Sequence, residues 1–131
     1  MEKMCNISEL AGKTIISIEG MEEQSEEILF QCEDGSEYKM LHIQDCCESV
    51  YLEDVGGEAC SLLNYPIVIA EDISSECDNL DPGQGNLCDA SYTWTFYKLA
   101  TIKGYVTLRW FGTSNGYYSE SVNFIQTKKE R

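Results

Sequence analysis

A chain of 131 residues, with 43% apolar and 24% charged side chains, is long enough to bury a core and too apolar to be disordered throughout. Its formal net charge of −14 disfavours nonspecific binding to nucleic acid or to anionic membranes, because affinity for phosphate comes mainly from Lys and Arg. The longest apolar run, residues 65–70, is too short to cross a bilayer, so we expect no membrane insertion.

Cysteine content and charge distribution indicate the compartment of the protein and the kind of partner that suits it. Seven cysteines is an odd number, and the first residues lack the basic-then-apolar pattern of a secretory signal, which favours free thiols and a cytoplasmic protein. Residues 1–91 carry 21 acidic and 3 basic side chains, whereas residues 92–131 carry 2 acidic and 6 basic ones. The acidic part suits a basic partner, and the C-terminal part suits a locally positive pocket.

The first half of the chain predicts short antiparallel strands. Residues 14–19, 28–32 and 37–43 have strand-like composition, and Asp34-Gly35 lies between the second and the third of these segments. An Asp-Gly pair between such runs is a strong hairpin signal, because Gly accepts the positive φ that tight turns need. Residues 50–54 are expected to continue the sheet, and residues 57–63 to form one short helix.

The second half predicts an antiparallel meander. Residues 67–73 are β-branched without alternation, which is typical of a strand buried on both faces or bulged. Residues 74–91 are expected to form a mobile loop, and residues 126–131 a frayed tail. Between them lie strands at 92–98, 106–112 and 114–122, with turns at Lys103-Gly104 and Ser114-Asn115-Gly116. The expected fold class is therefore mainly β to α+β, a single-domain antiparallel sheet over residues 1–131 with one short helix.

Alternation sorts the side chains of this meander onto two faces. The predicted core face holds both tryptophans and their apolar neighbours: Trp94, Phe96, Val106, Leu108, Trp110, Val122 and Phe124. The opposite face is rich in hydroxyls and includes a guanidinium suited to phosphate or carboxylate. It predicts a ligand-binding surface formed by Arg109, Thr95, Tyr97, Thr107, Ser119, Ser121 and Tyr117. The same pattern is also typical of the solvent face of an ordinary antiparallel sheet.

Residues 42–48, His-Ile-Gln-Asp-Cys-Cys-Glu, bring together the histidine, a cysteine pair and two carboxylates. Metal coordination by His42, Asp45 and Cys46 is one interpretation, but adjacent cysteines lack the spacing of the familiar zinc sites. A Cys-His nucleophile lacks an identifiable third group. We therefore expect no metal, no cofactor and no catalysis, and assign this segment to ligand contact or to turn structure.

Acidic residues cluster around the first hairpin. Glu22, Glu23, Glu26 and Glu27 lie in or next to the predicted connection before its first strand. Such a group imitates the phosphate pattern of a nucleic acid toward a basic protein groove, or it forms a solvated face that protects edge strands. Both interpretations stay open.

Three segments carry a family resemblance: His42-x-x-Asp45-Cys-Cys-Glu48, residues 93–101 and residues 109–122. They resemble a family of small uncharacterised proteins of tailed phages and prophages, over roughly residues 10–124. The resemblance implies a phage context and the cytoplasm of a bacterial host, and it brings no established activity. Small phage accessory proteins often bind a host component, frequently one that serves immunity.

The sequence thus favours a non-enzymatic, phage-type counter-defence factor that sequesters a small anionic ligand, such as a nucleotide immune signal. The first alternative is an acidic inhibitor that imitates nucleic acid and occupies the groove of a host defence protein such as a CRISPR effector. The second alternative is a metal-binding or redox module. Sheet edges and the Tyr117-Tyr118 pair also invite association into a homo-oligomer.

Overall fold

The computed structural model describes residues 3–44, 47–76, 91–114 and 120–130. The strands within these ranges are β1 (Lys3–Met4), β2 (Ile15–Glu19), β3 (Glu27–Cys32), β4 (Glu37–Leu41), β5 (Ser49–Gly56), β6 (Ile69–Glu76), β7 (Ser91–Thr101), β8 (Gly104–Ser114) and β9 (Asn123–Lys128). The helical segments described are short 3₁₀ turns at Ile7–Leu10 and Ala59–Ser61. In this part of the chain no helix has the length and apolar composition needed to cross a bilayer.

The strands form two antiparallel sheets, so the predicted mainly β, antiparallel class is confirmed. The five-stranded sheet has the order β1-β9-β4-β3-β2, and the four-stranded sheet has the order β5-β8-β7-β6. The predicted β3–β4 hairpin is present, with Gly35 at a φ of 92° and the Ser36 amide donating to the Asp34 carboxylate. The helix predicted at 57–63 is wrong, because the chain makes only the short turn Ala59–Ser61 there.

Both sheets bury one face in a shared core. Trp110 of β8 is fully buried, and its Nε1 donates to the Sδ of Met40 on β4 at 3.2 Å, which joins the two sheets. Removal of apolar side chains from water is the main stabilising contribution in such a core. Its other buried members include Ile15, Ile28, Phe30, Tyr38, Val50, Leu52, Leu62, Leu99, Val106, Leu108 and Phe124.

The third strand of the meander, predicted at 114–122, is wrong for Ser114, which ends β8, and for residues 120–122, which lie outside the strands; residues 115–119 are not among the described ones. β7 and β8 pair as predicted, but the chain after β8 crosses to the other sheet, where β9 lies between β1 and β4. β9 extends to Lys128, so the frayed tail predicted at 126–131 is wrong for residues 126–128. The turn at Asn115-Gly116 lies outside the described residues, as does most of the loop predicted at 74–91, residues 77–90. β6 already accounts for residues 74–76 of that predicted loop.

The strand predicted at 67–73 is present as β6, but burial on both faces is wrong for it. β6 pairs with β7 on one side and is an edge strand of its sheet in the described structure. Ile73 is 69% exposed, and Ile69 is 37% exposed. β6 therefore presents apolar side chains to solvent.

Candidate functional site

The pairing of β7 with β8 splits the predicted ligand-binding surface between two faces. Thr95 is paired with Trp110, Tyr97 with Leu108, and Phe96 with Arg109. Paired residues in an antiparallel ladder project from the same side of the sheet, so Thr95 and Tyr97 point toward the core. They are 6% and 4% exposed. The predicted grouping of Arg109 with these two residues is therefore wrong.

In the same register, two aromatic residues that were predicted to lie in the core face outward. Trp94 pairs with Phe111, and Phe96 with Arg109, on the outer face of the four-stranded sheet. Phe96 is 40% exposed, and Trp94 is half-buried. Their assignment to the core is wrong because they lie on the face opposite Val106 and Leu108, the β8 residues that are buried in the core.

The inner hydroxyl groups support the fold. Thr93 donates a hydrogen bond of 2.7 Å to Glu120, and Ser114 donates to the other oxygen of the same buried carboxylate. A Cβ at Gly112 would lie 2.8 Å from the carbonyl oxygen of Glu120, so glycine permits this close approach. Burial raises the pKa of the Tyr97 phenol, and the negative charge of Asp72 adds to this effect. Thr93 and Ser114 are thus bonded within the protein and Tyr97 is buried, which makes all three poor candidates for ligand contacts.

The outer face of the four-stranded sheet carries a cluster of aromatic rings, which we call the aromatic platform: Tyr51, Tyr92, Trp94, Phe96 and Phe111. Phe111 lies at its centre. The centroid of its ring is 4.4 Å from that of Trp94, 6.0 Å from that of Tyr92 and 6.2 Å from that of Tyr51. Rings from β5, β7 and β8 thus form one continuous apolar surface with partly exposed faces.

Arg109 lies on this platform with its charge already compensated. Its Cζ is 5.3 Å from the centroid of the Trp94 ring, within the range of a cation–π contact. Its Nε and a terminal nitrogen both contact the same Glu53 oxygen, at 2.6 and 2.5 Å, and Asp54 lies 4.0 Å away. A register shift between Leu52 and Asp54 places both carboxylates beside Arg109. The Arg109 side chain is 42% exposed, so an anionic ligand could reach the guanidinium but would compete with Glu53 for it.

Acidic side chains lie on β5 and on the segment bonded to it, and we call them the acidic margin: Glu22, Glu23, Glu26, Glu53 and Asp54. The connection between β2 and β3, which carries the first three, is held to β5 by paired backbone bonds. The Gln24 amide donates to the Leu52 carbonyl, and the Leu52 amide donates to the Ser25 carbonyl, each at 2.7 Å. Glu22, Glu23 and Glu26 are exposed there. Three of the four predicted glutamates are therefore carried by a segment bonded to β5, the strand that holds Tyr51.

Glu27 does not belong to this margin. It is the first residue of β3, and its carboxylate pairs with Lys39 at 3.0 Å on the outer face of the five-stranded sheet. The predicted set of four glutamates is thus divided between two surfaces.

The remaining predicted ligand-binding residues are dispersed. Thr107 is exposed beside Arg109 on the outer face of β8. Ser121 lies just before β9, and its carbonyl oxygen accepts a hydrogen bond from His42. Tyr117 and Ser119 lie outside the described residues. Of the predicted set, only Arg109 and Thr107 share the platform face in the described structure.

His42 takes part in a buried polar contact. Its Nδ1 lies 2.6 Å from the Ser121 carbonyl, and its Nε2 lies 2.8 Å from a Glu48 oxygen, with both side chains nearly inaccessible. A carbonyl can only accept a hydrogen bond, so Nδ1 is the donor to Ser121. Both ring nitrogens of His42 are therefore engaged by oxygen atoms of the protein.

The metal candidates are only partly covered by the structure. Asp45 and Cys46 lie outside the described residues, so their distance from His42 is not defined. Among the residues that are described, no three His, Cys, Asp or Glu side chains are grouped as metal ligands. Cys5, Cys32 and Cys60 are free thiols, as predicted.

Sequence reasoning missed Glu53 as the partner of Arg109 and the outward direction of Trp94. The Glu53 contact has no local signal, since the two residues are 56 positions apart. The outward direction of Trp94 did have a local signal in the sequence. A two-residue turn between β7 and β8 pairs each even-numbered residue of one strand with an odd-numbered residue of the other. Trp94 and Trp110 are both even-numbered, so they must lie on opposite faces of the sheet.

A family model matches residues 8–124 of the chain, and its description is "Domain of unknown function (DUF7448)". No curated protein and no solved structure matches the chain. The matched range contains the whole of the aromatic platform and of the acidic margin. The chain therefore belongs to the DUF7448 family of proteins with a domain of unknown function.

Proposed function

We propose that this protein acts without catalysis, as a binding protein that engages a basic protein surface through the aromatic platform and the acidic margin. The observation that carries the proposal is the outward direction of Trp94, which contacts Phe111, and of Phe96 on the same face. Tryptophan, tyrosine and arginine are the residues that most often dominate protein interfaces. A connected cluster of such residues on a sheet face is characteristic of a surface that binds a partner.

The charges around the platform support a cationic partner. The acidic margin contributes five carboxylates on β5 and on the segment bonded to it, and Arg109 compensates only part of their charge. The net charge of −14 would attract a basic protein over long distances and raise the association rate at low salt. Exposed aromatic faces also attract Lys and Arg side chains by cation–π contacts.

The biological setting we propose is that of a phage-type counter-defence factor in the bacterial cytoplasm. Its partner in this setting would be a host defence protein with a basic groove for nucleic acid, such as a CRISPR effector. The support is the resemblance to phage and prophage proteins together with the acidic margin, which matches the charge of a phosphate backbone.

Sequestration of a small anionic ligand is the second candidate. The stacked rings of the platform suit a planar base, since base–aromatic stacking contributes about 1–3 kcal/mol per base. Arg109 would supply the contact to phosphate. Its ion pair with Glu53 works against this function, because Glu53 competes for the guanidinium and repels an anion.

One substitution separates the two candidates by the sign of its effect. Arg109→Gln removes a positive charge from the platform and leaves Glu53 without its cation. Binding of a basic protein should become tighter, whereas binding of an anionic ligand should weaken by about 1.5–3 kcal/mol, the value of a hydrogen bond to a charged group. Native mass spectrometry of the purified protein shows directly whether a small molecule is retained.

The main test is capture of host proteins from bacterial lysate, followed by calorimetry with any purified partner. Trp94→Ala should weaken binding by about 2 kcal/mol or more, as expected for an interface hot spot. Replacing Glu22, Glu23 and Glu26 by Gln should weaken it further, and more at low salt than at high salt. Tyr105→Ala is the matched control, because Tyr105 is a 60% exposed aromatic residue of the same sheet outside the platform. Equal losses for Trp94→Ala and Tyr105→Ala would contradict the proposal.

A further inference from the structure

The open edge of the four-stranded sheet offers a second contact to the same partner. β6 pairs with β7 without interruption, from Ile69 opposite Ala100 to Glu76 opposite Thr93. No strand of the described residues pairs with its other side. In an antiparallel edge strand, alternate backbone N–H and C=O groups point away from the sheet and can bond an added strand.

This edge lacks three of the features that commonly protect edge strands from strand addition, although the 3₁₀ turn Ile7–Leu10 lies close to β6. Natural edge strands are commonly blocked by Lys, by Pro or by a bulge. β6 has the sequence Ile-Ala-Glu-Asp-Ile-Ser-Ser-Glu, which contains neither residue, and its pairing with β7 shows no register shift. The side chains of Ile69 and Ile73 are exposed on its outer face, so an added strand would find apolar contacts as well as backbone partners.

The negative charges on β6 favour a basic strand over a second copy of this chain. Glu71 and Asp72 are both exposed in the middle of β6, and they project from opposite faces of the strand. A second copy of the chain paired edge to edge would bring these carboxylates near their own equivalents, and like charges on paired strands repel. A strand that carries Lys or Arg at its central positions would meet opposite charges on both faces.

We propose that β6 accepts an extended, basic segment of the partner as a fifth strand of this sheet, a mode that rests on the proposed function. The register supports continuity with the platform, because Ile73 is paired with Phe96. Side chains of the added strand on the outer face would therefore extend the contact surface that begins at Tyr51 and Phe111. The platform supplies apolar contacts, and the edge supplies backbone hydrogen bonds.

The test uses the full chain and an end-capped peptide in which two adjacent lysines stand at the centre of a run of valines, so that one lysine projects from each face of the added strand. Calorimetry should show binding, and hydrogen exchange should show new protection of β6 amides. The same peptide with alternate backbone amides N-methylated cannot add as a strand, and it should bind at least about tenfold more weakly. A peptide with glutamate in place of lysine should not bind. Equal affinity of the N-methylated peptide, or protection at β5 or β2 in place of β6, would overturn the inference.

Charge variants provide a second measurement. Glu71→Gln together with Asp72→Asn keeps the shape of two exposed side chains, and it should weaken the lysine peptide by roughly five- to tenfold through two lost cross-strand charge pairs. Unchanged affinity would overturn the inference. Appearance of a dimer in sedimentation when the two acids are neutralised supports the charge argument, whereas a wild-type dimer paired through β6 would overturn it.

The two proposals fail in different ways. If a captured basic protein depends on Trp94 but its affinity is unaffected by the β6 charge variant, the platform stands and the edge does not take part. If the lysine peptide protects β6 while Trp94→Ala leaves partner binding intact, the edge stands and the platform proposal is wrong.

Discussion

The two tryptophans of this chain lie on neighbouring strands of one sheet and have opposite environments. Trp110 is fully buried, and its indole nitrogen donates to Met40 of the other sheet. Trp94 faces outward, where it contacts the ring of Phe111 and the guanidinium of Arg109. Trp110 therefore stabilises the fold, whereas the exposed part of Trp94 adds little to it and is open to a partner.

The polar residues of β7 and β8 also lie on both faces of the sheet. Thr93 and Thr95 of β7 face the core, where Thr93 is bonded to the buried Glu120. Thr107 and Arg109 of β8 face solvent. Residue type alone therefore does not identify the face of a strand in this sheet. The pairing register identifies it.

The largest effect on stability should come from Trp110→Ala. Truncation of a buried tryptophan removes its apolar contacts and leaves a cavity, which typically costs about 3–5 kcal/mol. The free energy of unfolding can be measured by urea denaturation. Trp110→Phe should cost less because it fills most of the space. A loss from Trp94→Ala as large as that from Trp110→Ala would contradict the assignment of faces.

A smaller loss is expected for Glu120→Ala. It leaves the hydroxyls of Thr93 and Ser114 without their buried acceptor, and an unsatisfied buried polar group costs about 1–3 kcal/mol. Glu23→Ala is the matched control, because Glu23 is exposed and its loss should change the free energy of unfolding by less than about 0.5 kcal/mol. Equal denaturation midpoints for the two variants would show that the inner polar contacts do not stabilise the sheet.

The local part of the fold could be predicted from the sequence. The β3–β4 hairpin follows from Asp34-Gly35 between strand-like runs, and β7 and β8 follow from their β-branched and aromatic content. The error lay in the faces of β7. Both Trp94 and Thr95 suit either side of a sheet, so composition could not choose between them. A two-residue turn, whether at Lys103-Gly104 as predicted or at residues 102–103 as observed, already implied that Trp94 and Trp110 face opposite sides.

The non-local part could not be predicted in this way. Val122 and Phe124 fit a third meander strand as well as they fit the other sheet, and only packing of the whole chain places β9 between β1 and β4. The same holds for the site. Arg109 has a suitable partner in any nearby acid, and the choice of Glu53 depends on the β5–β8 pairing and the register shift after Leu52.

Trp94→Ala should have only a modest effect on stability. It removes an aromatic contact with Phe111 and a cation–π contact with Arg109, which together contribute about 1 kcal/mol at a partly exposed position. The same variant should lose most of its affinity for a basic partner. This separation of stability from binding, measured by denaturation and calorimetry on one preparation, is the sharpest check of the contrast between the two tryptophans. Parallel losses would show that Trp94 is structural.

The smallest effect is expected at the rim of the core, where Lys13 pairs with Asp34 at 2.6 Å. Burial raises the pKa of the Asp34 carboxyl, but hydrogen bonds from Lys13 and Ser36 outweigh burial and lower the pKa from 3.8 to about 2. The folded state thus keeps this carboxylate ionised at a pH where the unfolded chain protonates it. Its contribution to stability is complete above about pH 4 and is lost as the pH falls toward 2.

Because the Asp34 side chain is 38% exposed, solvent screening limits this contribution to less than about 1 kcal/mol. Asp34→Asn should therefore flatten the fall in melting temperature between pH 4 and pH 2 relative to the unmodified chain. Glu37 also has a lowered pKa, owing first to its hydrogen bond from Thr127, so it adds to the acid sensitivity of both proteins. Glu37→Gln in each background removes that contribution and isolates Asp34. Parallel melting curves in the Glu37→Gln background would show that Lys13 and Asp34 do not interact, and that stability at this rim depends on apolar contacts alone.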